Sequence, residues 1–212
     1  MATTLVRRVL QSAGVAAAGI GLAVLPSTAH AAPLNIDYDA NGSSTIAGTG
    51  SNVNLGPATM HMQLDVANGT IGGDMDLPGT STRFSLIGFL PVTANVDFIT
   101  AAPIDGTLRV TVPDNRLVVD SVASYYVKLS NIKVAGFPTF AGSNCRTTDP
   151  VQIPAKTPEG GNFGALAGGK LVGEYSIGKF QNCGINTWLI NLLIPGDGNT
   201  MELDVTNGRL GG

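Results

Sequence analysis

The sequence predicts an all-β fold, a single antiparallel sandwich or barrel of about ten short strands. Three observations carry that expectation. Apolar residues recur at every second position along most of the chain, the period of a strand with one face buried and one wet. Gly is abundant, at 28 of 212 residues, and charged residues make up only 13%, about half the usual quarter, which excludes a long coiled coil. Turn chemistry (Asn41-Gly42, Asn68-Gly69, Asn207-Gly208 and Pro113-Asp114-Asn115) separates the alternating runs. A hydrophobic content of 43% also excludes a disordered acidic or basic tail protein.

Residues 1–31 read as a cleaved signal peptide. Arg7 and Arg8 form a positive n-region, Val15 to Leu25 is an apolar run, and Ala29-His30-Ala31 is a small-x-small cleavage signature. The apolar run falls well short of the about 20 residues that cross a bilayer, so it reads as a leader and not as an anchor. The arginine pair leaves both the general secretory and the twin-arginine routes open, although Val9-Leu10-Gln11 gives the second little support. No Cys stands near the cleavage site to take a lipid. Cleavage near Ala31-Ala32 leaves residues 32–212 as one secreted β-domain, with ten basic residues against 15 acidic ones. The bases are scattered singly, so nucleic acid is not an expected partner.

Taken in chain order, Asp37-Tyr38-Asp39-Ala40-Asn41-Gly42 copies the first half of a calcium loop. The twelfth position, a bidentate Glu in such loops, is Gly48, and an Asx-rich turn is the simpler expectation. Met60, Met62, Leu64 and Val66 then alternate with His61, Gln63 and Asp65. His61 is the only histidine outside the leader, and thioether with imidazole would suit copper. Strand alternation sends both methionines away from His61, so core Met and solvated His are expected. Asp74 and Asp76 share a strand face and read as solvated. Leu77-Pro78-Gly79-Thr80-Ser81 resembles a sortase signal but lies mid-chain without a hydrophobic tail, and two glycosylation sequons (Asn41-Gly42-Ser43, Asn68-Gly69-Thr70) coincide with Asn-Gly turns.

From Phe84 to Phe98 every even position is apolar (Ala, Gly included), while the odd positions are polar at the ends but apolar at Ile87, Phe89 and Pro91. The stretch is too long for an ordinary strand, and Gly88 and Pro91 predict a bend or bulge that divides it. The greasy middle of the odd face should be covered. Further strands are read at Leu108, Val110 and Val112, and at Leu171, Tyr175 and Ile177. Pro150 to Gly169, rich in Pro and Gly, is expected to be the longest loop. Gly164 to Lys170 fits a phosphate-binding loop only if Leu171 is accepted where a hydroxyl is required.

Asn186 to Pro195 is continuously apolar, without alternation, and contains the only Trp of the chain. It predicts a short helix or plug near residues 186–194, capped by Asn186 or Thr187 and stopped by Pro195-Gly196, with Trp188 buried. Cys145 and Cys183 predict one structural disulfide that pins this segment, since no CxxC or histidine stands near either. One repeat is visible: Met62 to Gly73 matches Met201 to Gly212 at most positions, read as two strand-turn units with the same Asn-Gly turn.

Ile87-Gly-Phe-Leu-Pro-Val-Thr-Ala94, Lys133-Val-Ala-Gly-Phe-Pro138, Gly142-Ser-Asn-Cys145 and Asn191-Leu-Leu-Ile-Pro-Gly196 resemble segments of uncharacterised secreted β-rich proteins of actinobacteria. The resemblance implies secretion and a β-rich fold and carries no activity. No acid, base or nucleophile converges in the sequence, so neither an enzyme nor a cofactor or metal is expected. The leading expectation is an exported cell-envelope or extracellular protein binding a lipid-like, apolar or amphipathic ligand through Phe84, Leu86, Ile87, Phe89, Leu90 and Trp188. A structural or adhesive surface module is the alternative, and an oligomeric envelope pore ranks below both.

Overall fold

The structure, a computed structural model, describes residues 32–86, 89–139 and 141–211. Residues 1–31, which read as a signal peptide, and Ile87 of the candidate surface lie outside the described residues, and Leu86 is described by its backbone alone. In chain order the strands are β1 (Leu34–Ile46), β2 (Ser51–Asn54), β3 (Ala58–Asp65), β4 (Thr70–Met75), β5 (Thr80–Leu86), β6 (Leu90–Thr111) and β7 (Arg116–Val134). They continue with β8 (Phe137–Pro138), β9 (Cys145–Thr147), β10 (Val151–Lys156), β11 (Gly169–Ile177) and β12 (Phe180–Gln181). A 3-10 turn (Gly184–Asn186) and the helix α1 (Thr187–Leu193) precede the last strand, β13 (Gly196–Leu210).

The sheet follows the order β7-β10-β11-β13-β1-β3-β4-β6, and pairing of β6 with β7 closes it. The fold is therefore an antiparallel eight-stranded barrel. Closure satisfies the strand edges that an open sheet would leave unpaired. The strands are fewer and longer in the wall than the sequence predicted: β6 runs for 22 residues and β7 for 19. β5, β8, β9 and β12 extend the wall around β6 and β7, while β2 pairs with the last residues of β1.

Alternation places the core. β1 turns Ile36, Tyr38 and Ala40 inward, β3 Met60, Met62 and Leu64, and β13 Met201, Leu203 and Val205; all are buried. On β7 the inward set is odd-numbered up to Leu129 and then becomes Ile132. The switch falls at Asn131, whose φ is 49° and where the register against β6 shifts, as in a bulge. Val110 and Val112 break the predicted alternation because they are exposed. β4 pairs with β6 only as far as Thr107, so the β6–β7 hairpin projects beyond the barrel and has no interior to face.

Several turn assignments are corrected. Asn68-Gly69 does form a turn, with Gly69 at φ 66°. Asn41-Gly42 instead lies within β1, where Gly42 faces Leu203 of β13. A Cβ there would stand 2.1 Å from the Glu202 carbonyl oxygen, so close strand approach and not turning explains the glycine. Asn207-Gly208 lies within β13 beside a register shift against β1. The two halves of the repeat thus differ: Met62 to Gly73 is a hairpin, and the second copy is one bulged strand as far as Leu210.

The expected long loop is also shorter than read. Val151–Lys156 forms β10 against β7, which leaves residues 157–168 as the connection. That connection closes one end of the barrel. Phe163 is buried, its N–H donates to the Leu117 carbonyl at 2.8 Å, and its ring meets Tyr38 edge-on with centroids 5.7 Å apart. α1 covers the opposite end.

Candidate functional site

α1 forms where nine residues offer no alternation and end at Pro195, which cannot continue a helix. It is tied down at several points. Cys183, just before it, is bonded to Cys145 of β9, and both are buried. Asn191 accepts from the Phe180 N–H at 2.6 Å and donates to the Phe180 carbonyl at 2.9 Å. The Thr187 hydroxyl donates to the Gly184 carbonyl at 2.8 Å, and the cap position is Asn186. At the far end Gly48, in the turn after β1, abuts the Leu193 carbonyl so closely that a Cβ would lie 2.6 Å from it. The helix therefore spans the barrel mouth from the disulfide to the β1–β2 turn.

Beneath it lies an apolar cavity of about 90 Å³, walled by Ile190 and Leu193 of α1 and by Phe84, Ala94, Phe98 and Ile132 of the wall. Its few polar groups are mostly satisfied. The Ser44 and Tyr175 hydroxyls bond each other at 2.6 Å, and so do those of Thr49 and Ser51 at 2.7 Å. Asn186 is the exception: it lines the cavity, and its buried Nδ2 has no hydrogen-bond partner among the described residues. A buried amide donor left without an acceptor costs about 1–3 kcal/mol. A second apolar cavity, of about 40 Å³, lies deeper in the barrel among Met60, Met62, Ile71 and Leu203.

The residues singled out in the sequence divide between two surfaces. Phe84 and Leu90 pack against the core, and Val92, Ala94 and Val96 are buried, so the even-numbered face points inward as read. The dividing feature is a full hairpin, since Leu86 pairs with Leu90, and not a bend in one strand. Phe89 follows Leu86 across that hairpin and is 76% exposed, and Pro91 is exposed too, so these two residues of the odd face are not covered. Trp188 is likewise 69% exposed, which corrects the expectation that it is buried. A seven-residue helix on a barrel end can bury only one face, and Ile190 and Leu193 take it. The oxidised protein should accordingly show a solvent-like Trp emission that iodide quenches readily; a blue-shifted, protected spectrum would refute this placement.

Sequence reading missed Asn186 as a cavity-lining residue with an unpaired amide, because its position before an apolar run looked like a cap and nothing more. It also missed Phe137 and Phe163, each in a Gly-rich turn or loop whose packing depends on distant strands.

The calcium-like motif is a strand. Asp37, Asp39 and Asn41 lie along β1, with Asp37 bonded to His61 Nδ1 at 2.7 Å. Asp39 receives hydrogen bonds from Arg209 at 2.7 Å and Asn207 at 2.9 Å, which hold its carboxyl down at about 2. Met60 and Met62 are buried while His61 points outward, so no common ion reaches all three. Lys170 pairs with Glu202 at 3.1 Å. The hydrogen bond that His61 Nδ1–H donates to the Asp37 carboxylate raises the His61 pKa above its ordinary 6.5. A raised pKa stabilises the fold below about pH 6.5, and that contribution fades as pH rises through the folded value. Because His61 is the single histidine of residues 32–212, its ring-proton titration is directly readable. The midpoint should lie above 6.5 and fall toward it in D37N; an unchanged midpoint in D37N would remove the pairing from the account.

Against protein-family models, curated proteins and solved structures, the chain finds no match.

Proposed function

We propose that this is a non-catalytic protein of the cell envelope or extracellular space that takes an amphipathic ligand into the barrel beneath α1. The observation that carries the reading is the apolar cavity with one unpaired amide donor, Asn186 Nδ2, in its wall. Apolar walls suit an acyl or similar chain, and the donor, occluded while α1 is closed, suits a carbonyl or carboxylate at its head once α1 moves. The resting cavity, about 90 Å³, is smaller than the about 150 Å³ that admits benzene. Uptake of anything longer requires α1 to swing outward, and only Ile190 of its residues is fully buried. Export rests on the leader pattern, on the resemblance to secreted actinobacterial proteins, and on a disulfide of the kind that persists in oxidising compartments.

Cis-parinaric acid titrated into detergent-free protein tests this. Wild type should bind it, Ala94→Ile should fold normally and exclude it by filling the cavity, and Asn186→Leu should bind it more weakly. Failure of wild type to bind, together with an empty protein by native mass spectrometry, would end the ligand reading. A structural or adhesive module would then stand, favoured by the exposed Ile185, Trp188 and Leu192. The outward faces of the wall are polar, for example Thr200, Glu202, Asp204 and Thr206 on β13, and lend a pore no lipid-facing band.

A further inference from the structure

We propose that the α1 end of the barrel docks onto an anionic lipid bilayer. Three elements bring large apolar side chains out of the protein there. Ile185, Trp188 and Leu192 recur at steps of three and four, one helical face, and each is about 70% exposed. The β5–β6 turn presents Phe89 and the β7–β8 segment presents Phe137, each 76% exposed. These two turns adjoin, because Val92 pairs with Val134 and the Ala135 N–H donates to the Pro91 carbonyl at 2.8 Å. Val92, Val134 and the inner face of α1 wall the same cavity, so all five side chains surround one barrel mouth.

Charge separates along the barrel in the same sense. The half that carries α1 holds Arg83, Lys128, Lys133, Arg146 and Lys179 against Asp97, Asp149, Glu174 and Asp197. The other half holds the other five bases and the other 11 acids. Arg83 and Lys133 both pair in register with Thr93, one from each side, on the outward row next to the two turns. Neither makes an ion pair among the described residues, whereas Arg116, Lys156, Lys170 and Arg209, all away from α1, do.

Separate protruding anchors, aromatic in three of five cases and beside unpaired bases, suit the interface of an anionic membrane. The acidic half then points away from the surface, which the lipid charge would otherwise repel. The site is the outer face of α1 with Phe89 and Phe137, so it holds whether or not the cavity takes a ligand.

The test uses oxidised residues 32–212 with vesicles of phosphatidylcholine, with and without phosphatidylglycerol, read by co-sedimentation and by the emission of the single Trp. Vesicles containing phosphatidylglycerol should bind the protein, blue-shift Trp188 and shield it from iodide, and added salt should weaken binding. W188S/L192S should bind about tenfold or more weakly, and R83E/K133E should lose the preference for phosphatidylglycerol. Trp188, Leu192 and Arg83 are exposed and Lys133 is half-buried on the outward row, away from the cavity, so far-ultraviolet spectra and cis-parinaric acid binding of both variants should match wild type. The proposal is overturned by absent binding, by equal binding to pure phosphatidylcholine, or by binding that leaves Trp188 emission unchanged. It is overturned equally if Trp188 is already blue-shifted without lipid and the protein sediments as a dimer, which would make this end a protein contact.

Discussion

Replacing Cys145 and Cys183 together by serine should lower the stability of the domain by about 4 kcal/mol, the chain-entropy value for a cross-link spanning 38 positions. The loss should not be uniform. α1 buries one residue fully and otherwise relies on the disulfide, on the Asn191 bonds to Phe180 and on contact with the turn at Gly48. The barrel wall, by contrast, is held by backbone ladders between neighbouring strands, thinnest between β10 and β11, which pair only at Lys156 and Val172. Amides of residues 184–194 should therefore exchange faster at denaturant concentrations that leave β1, β7 and β13 protected. If the cavity beneath α1 takes a ligand, the same substitution should speed its uptake, because the helix is the cover. A stability change below about 1 kcal/mol, with unaltered exchange in α1, would show that packing alone holds the mouth closed.

Gly42→Ala should cost about 3 kcal/mol, at the upper end for forcing an extra methyl into a packed region. The neighbours that a Cβ would meet are backbone atoms, the Glu202 carbonyl oxygen at 2.1 Å and the Leu203 Cα at 2.9 Å. Neither can swing aside as a side chain could, so β1 and β13 must separate at the middle of their ladder. The consequence reaches the site, since Ser44, Ile46 and Met201, one to four residues along the same strands, line the cavity under α1. Gly178→Ala is the control: a Cβ there meets nothing within 4 Å, and its effect should stay within about 0.5 kcal/mol. Equal denaturation midpoints for the two variants would contradict the close approach of β1 to β13.

Which residues face the core was legible wherever a strand runs regularly, because a period of two assigns every second side chain to one side without knowledge of the partner strand. Met60, Met62 and Leu64 are a case, and so are Phe84, Leu90, Val92, Ala94 and Val96. The short helix at Thr187–Leu193 was legible for the complementary reason: a continuous apolar run that does not alternate and stops at proline fits no strand. The disulfide followed from there being two cysteines in residues 32–212 behind a leader-like pattern that predicts export.

Other features had no local signature. Three Asn-Gly pairs are chemically alike, yet only Asn68-Gly69 turns the chain; Asn41-Gly42 serves a close strand contact and Asn207-Gly208 lies beside a bulge, as fixed by pairing across β1 and β13. The exposure of Trp188 and Phe89 could not be read from hydrophobicity, which says what a side chain gains by burial but not whether a partner stands beside it. The candidate site shows the same division. Its apolar walls were written in the alternation of β6, while its unpaired donor, Asn186, became visible only once α1 lay across the mouth.

The strand class, the inward face of each regular strand, the covering helix and the bond that pins it thus follow from local periodicity and residue chemistry. Closure of the sheet, the pairing of the long strands β6 and β7 that closes it, and the set of apolar groups left in solvent emerge from the folded arrangement. Those outcomes depend on register between segments far apart in the chain, where a shift of one residue exchanges the buried and exposed faces.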